Sequence, residues 1–212
     1  MQKRIVYLYY PALMIFLVFT FADTLLRGII HNYSVELLLY TVLWLFVAIQ
    51  ATFAYDRIRK VKPKHYPTAA LLSDCLDIVL IVYICAAISG VYGRNETNEL
   101  NSYLHLSIPF FLVSINQFSW FVIVRNFDIP AVFRLSILFI GMLAVTISEI
   151  ICHDFMNLVA IVSIIVLLGI LRAVNWAPGP FNNLATKIWS NVKKGNPKIL
   201  QFFLEKTKGK TK

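Results

Sequence analysis

Glycine and cysteine are scarce where they would matter most. Of the 8 glycines, only Gly90, Gly141 and Gly169 fall in or at the edge of an apolar stretch, and no G-x-x-x-G occurs. That argues against the close helix crossings this motif supports. It also weighs against the broken helices that build many transporter sites, which need more Gly and Pro. The 3 cysteines, Cys75, Cys85 and Cys152, make no C-x-x-C pair and lie in or beside apolar stretches. Neither a zinc site nor a disulfide framework is expected, and each thiol reads as a small apolar side chain.

Catalytic signatures are missing as well. There is no H-E-x-x-H, no G-x-S-x-G, no P-loop and no potassium-filter sequence. Cys152-His153-Asp154 places a nucleophile, a base and a carboxylate in a row. Adjacent residues point in different directions, however, and a working triad is assembled from separate segments. The expectation is a protein that is not an enzyme and carries no cofactor.

What the chain has in abundance is apolar residues, 58% of 212, against about 45–50% in soluble domains. They fall into blocks of about 20 residues, the length that crosses a hydrocarbon core of about 30 Å at 1.5 Å per residue. Six blocks stand out, at about Ile5–Leu26, Val35–Tyr55, Thr68–Gly90, Tyr103–Val124, Val132–Ile151 and Phe155–Val174. The first follows Lys3 and Arg4 without a small-residue cleavage site and reads as a span rather than a leader. The fold class expected is all-α: a polytopic membrane helix bundle of six spans over 1–176, followed by a basic amphipathic cytoplasmic tail over 177–212.

Charge sets the expected orientation. With the N-terminus inside, eighteen of the 20 Lys and Arg fall on the cytoplasmic side, and only Arg27 and Arg94 fall outside. The positive-inside rule therefore selects N-in and C-in, which requires an even number of spans. Asn95-Glu96-Thr97, a glycosylation acceptor sequence, then lies on an outer loop. The net charge of +9 is a topology signal rather than a nucleic-acid footprint, and no nucleic-acid partner is expected.

The tail reads as a short amphipathic helix over Phe181–Lys194, with Leu184, Ile188 and Val192 along one line, and Pro178 and Pro180 breaking the preceding span. Trp189, together with Phe202 or Phe203, would sit at headgroup level. Lys187, Lys193, Lys194 and Lys198 would face an anionic lipid surface.

Polar residues inside the spans each need a reason, because a charge at mid-membrane costs about 2.5–3.5 kcal/mol on the insertion scale. Asp74 and Asp77 share a face of the third block; Asn116 and Gln117 lie in the inner half of the fourth, and Gln50 in the inner part of the second. If these blocks are neighbours, the five residues can form one polar pocket for a small solute or ion, with Asp77 at its centre. The competing reading makes the amides interhelical hydrogen-bond glue and pairs Asp74 with Lys62 or Lys64. Toward the outside, Asp23 and Arg27 stand four apart, and Glu149 would reach Arg27 or Arg94 in a rim ion pair. Two functions follow: a cell-membrane protein that binds or transports a small solute or ion, or a non-catalytic interaction protein (an accessory subunit, or an immunity or resistance protein). The second would dock a membrane-protein partner through the basic loop and tail.

Overall fold

The computed structural model describes residues 15–23, 26, 35–60, 68–88, 103–124 and 128–194. Among them every regular element is helical. Helix α1 is formed by residues 15–23. It is followed by α2 (Val35–Lys60), α3 (Thr68–Ile88), α4 (Leu104–Val124), α5 (Ile129–Ile151), α6 (Phe155–Val174) and α7 (Gly179–Lys194). Four of these, α3 to α6, are long and apolar enough to cross a membrane. In α2 the apolar stretch is shorter, Leu38–Ile49.

Local chemistry explains the boundaries. Expected to stop at Tyr55, α2 continues to Lys60, because Arg and Lys are good helix formers and favour the negative C-terminal end of a helix. Helix α5 starts at Ile129, three residues before the expected Val132, with Pro130 in its first turn. Pro180 likewise lies in the first turn of α7, where it begins a helix rather than ending one. A first-turn N–H has no intrahelical acceptor, so proline loses nothing there. The turn between α5 and α6 is three residues long: the Cys152 N–H bonds the Ser148 carbonyl, and the Asp154 carboxylate accepts from the Met156 N–H at 3.1 Å. Asn175 ends α6 in the left-handed conformation (φ 50°), which asparagine tolerates better than most residues.

Consecutive helices from α3 to α6 pack side by side, and α2 packs on α6 and α3. The result is a ring of five helices. Antiparallel neighbours are fixed by contacts at both ends: Ser73 and Tyr83 of α3 meet Asn116 and His105 of α4. Helix α1 joins α2 through the Trp44 indole, which donates to Thr20 Oγ1 at 3.0 Å and stacks on Phe21 at 4.2 Å.

The outer surface differs from that of a water-soluble bundle. Large apolar side chains are exposed at helical spacing: Leu72, Leu76 and Val79 on α3; Ile108, Leu112 and Ile115 on α4; Ile140, Leu143, Ile147 and Ile150 on α5. The buried faces of the same helices carry Ser73, Asp74, Asp77, Ser107, Ser114, Asn116 and Glu149 within a largely apolar core. Apolar stripes facing out and polar groups facing in are what a hydrocarbon surrounding selects.

Two glycines permit close approach. A Cβ on Gly141 would lie 2.8 Å from the Ile164 side chain, and one on Gly169 would run into the Phe46 ring. Gly169→Ala is therefore expected to destabilise the α2–α6 contact by about 1–3 kcal/mol, as overpacking does. Thermal unfolding in detergent measures this, and Phe46→Leu in the same chain should recover most of it.

Candidate polar site between α3 and α4

The pattern that places this site is visible along α3. Ser73 and Asp77 are four apart and Asp74 and Asp77 three apart, so all three lie on one helical face. That face is turned inward: Asp74 is 1% exposed and Asp77 4%. Asp77 stands eight residues after Ala69, the first residue of the span, or about 12 Å into it. That is close to the middle of the helix.

Opposite it on α4, Asn116 acts as a two-sided bridge. Its Nδ2 donates to Asp77 Oδ1 and to the Ser73 carbonyl, both at 2.6 Å. Its Oδ1 accepts from Ser73 Oγ at 3.0 Å. The neighbouring Gln117 donates its Nε2 to the other Asp77 oxygen, Oδ2. Two adjacent carboxamides on α4 thus hold both oxygens of one buried carboxylate on α3. Charge-assisted bonds of this kind are about twice as strong as neutral ones.

The structure brings Asp77, Asn116 and Gln117 into direct contact, with Asp74 buried on the same face of α3. The Gln50 side chain lies outside the described residues, as do Lys62 and Lys64. Its helix packs chiefly on α6 and to a smaller extent on α3. Ser73 was missed by sequence reasoning, although its four-residue spacing from Asp77 is a usable signal. Of the lysines expected to face lipid, Lys187 is exposed on α7; Lys198 and the side chains of Lys193 and Lys194 lie outside the described residues.

A second polar cluster joins α4, α5 and α6. Glu149 is 1% exposed near the end of α5. Its Oε1 accepts from the Tyr103 N–H at 2.9 Å and lies 2.9 Å from His153 Nδ1, while Oε2 accepts from Asn157 Nδ2 at 2.5 Å. Asn157 Nδ2 also donates to the Cys152 carbonyl at 3.0 Å, and its Oδ1 accepts from Ser148 Oγ at 2.9 Å. Arg27 and Arg94, the partners expected for Glu149, lie outside the described residues. Each member of Cys152-His153-Asp154 has a local role: the Cys152 carbonyl accepts from Asn157, His153 meets Glu149, and Asp154 caps α6. Among the described residues no group of His, Cys, Asp and Glu is arranged to hold a metal ion.

No protein-family model, curated protein or solved structure matches the chain. The class rests on the helices themselves: four apolar helices of spanning length, with apolar faces out and carboxylates in, mark an α-helical membrane protein.

Proposed function

We propose that the chain is a six-span protein of the cell membrane, with both termini in the cytoplasm, that binds and conducts a proton or small cation at Asp77. The observation that supports this is a single carboxylate near mid-span whose two oxygens are held by the carboxamides of Asn116 and Gln117. Neutral dipoles steady a carboxylate without cancelling its charge, so it keeps an attraction for a proton or cation in a medium of low dielectric. Both amides can also turn an oxygen toward a cation by rotating about the last bond, which gives the site ligands as well as a charge. Positive-inside counting supports the orientation, and the shorter apolar stretch of α2 with the described part of α1 supports two further spans.

Asp77→Asn separates this from a structural role. The new Oδ1 can still accept from Asn116, and its Nδ2 can donate to Gln117 once that amide is turned over. Folding stability should change little, while the charge is gone. In proteoliposomes holding a proton-, sodium- or potassium-sensitive dye, the wild-type protein should dissipate the matching imposed gradient of at least one of these ions, and Asp77→Asn should slow this roughly tenfold or more. Equal rates for both, or no flux above protein-free liposomes, would sink the reading. The alternative, an interaction protein that docks partners through its basic loop and tail, is supported by the same hydrogen bonds acting as interhelical glue.

A further inference from the structure

Neither polar cluster accounts for Arg134. It lies on α5 five residues after Ile129, with its side chain 15% exposed. Its Nη2 is 4.0 Å from Asp128 Oδ2, and its Nη1 is buried with no hydrogen-bond partner among the described residues. The Asp128 side chain is 52% exposed, so water screens that pair. A guanidinium offers five donors in a planar fork. One held this far out of water with an unfilled donor fits an oxyanion that can accept two bonds at once.

The surroundings say which oxyanion. Helices α5 and α6 run antiparallel, with Gly141 against Ile164 and Ser148 against Asn157. Carried seven residues back from Gly141, that register brings Arg134 level with Leu171 and Arg172, in the last turn of α6. Two arginines thus share one depth at one end of the bundle. Next to Arg134, Phe133 packs edge-on against Trp176 at 6.0 Å and Phe181 at 4.9 Å. These contacts seat the start of α7 at the same end of α5. Helix α7 then leaves Leu184 (57%) and Ile188 (53%) exposed, with Lys187 exposed between them. An amphipathic basic helix with an uncovered apolar side is suited to the layer where headgroups meet acyl chains.

We propose that the α5–α6–α7 junction is a binding site for an anionic phospholipid. Arg134 takes the phosphate oxygens through its fork once a rotation of the side chain uncovers Nη1, Arg172 adds positive charge at the same depth, and the exposed side of α7 covers the upper acyl chains. Lipids of net negative charge are preferred, because the ammonium of a zwitterionic headgroup would meet two guanidiniums and Lys187 against the single carboxylate of Asp128. The site rests on the membrane assignment and is independent of any role for Asp77.

The test uses the full chain in detergent micelles containing equal amounts of phosphatidylglycerol and phosphatidylcholine, read by native mass spectrometry. Wild type should retain phosphatidylglycerol over phosphatidylcholine, and Arg134→Gln should reduce that preference by about tenfold, as loss of a charged bidentate contact implies. Arg134→Lys, which keeps the charge and loses the fork, should fall between the two. Arg172→Gln gives a second reading from a different helix and should also weaken the preference. No preference in wild type overturns the proposal, as does a preference that survives both Gln variants. If millimolar inorganic phosphate displaces the lipid, the site is one for free phosphate and the lipid assignment falls.

Discussion

Asn116→Leu is expected to lower the stability of the folded protein by about 2–3 kcal/mol, through the acceptors it strands. Leucine fills nearly the same volume, so little of the loss is a cavity. What goes is the donor that satisfies both Asp77 Oδ1 and the Ser73 carbonyl, and the acceptor for Ser73 Oγ. Interhelical hydrogen bonds between neutral groups in membranes contribute only about 0.6 kcal/mol on average, since the separated helices find other partners. Here one stranded acceptor is Oδ1 of a carboxylate 4% exposed, whose other oxygen keeps Gln117, and a charged group that loses a donor loses more than a neutral one. Unfolding in mixed detergent micelles gives the value directly. A loss near 0.6 kcal/mol would mean that Asp77 reaches water or another donor. The contrast with Asp77→Asn is the useful part. The aspartate variant should fold well and lose conduction, whereas the asparagine variant should fold poorly while retaining the charge.

Glu149→Ala should be the most destabilising single change at the other end of the bundle, by about 3 kcal/mol, comparable to removing one partner from a buried charged network. Its carboxylate receives the Tyr103 N–H just before α4, the His153 ring in the α5–α6 turn, and the Asn157 amide on α6. Alanine leaves the Tyr103 N–H and one amide donor of Asn157 to find other acceptors. Glu149→Gln should fall between wild type and alanine. Its carbonyl can still accept from Tyr103, but its amide faces the Asn157 Nδ2, and turning Asn157 over would sacrifice the bond to the Cys152 carbonyl. His153→Ala should change stability by well under 1 kcal/mol, because that side chain is 57% exposed and its bond is screened by solvent. If His153→Ala proves as harmful as Glu149→Ala, the histidine rather than the amides holds the junction, and this account of the cluster is wrong.

How far the candidate site was legible can be judged residue by residue. Asp77, Asn116 and Gln117 stood out because a charge or carboxamide in an apolar run is expensive wherever the run sits. Their direct contact was not readable, since it depends on α3 and α4 being adjacent and in register. Ser73 escaped because serine is cheap in a span and usually bonds its own helix, as Ser136 and Ser163 do. Asn157 escaped for a similar reason: beside Asp154 at the start of α6, it reads as part of a polar helix start until the structure shows it under Glu149.

The sequence by itself determined the four helices of spanning length and the apolar surroundings they call for. The length of an apolar run against bilayer thickness is a one-dimensional quantity, and the sites of lysine and arginine along the chain are another. Tertiary structure alone decided which polar groups meet. A helix presents about a hundred degrees of buried face, and its partner there is set by packing and register. That choice put Asn116 between Ser73 and Asp77, Asn157 under Glu149, and Arg134 level with Arg172 where α7 leaves the bundle.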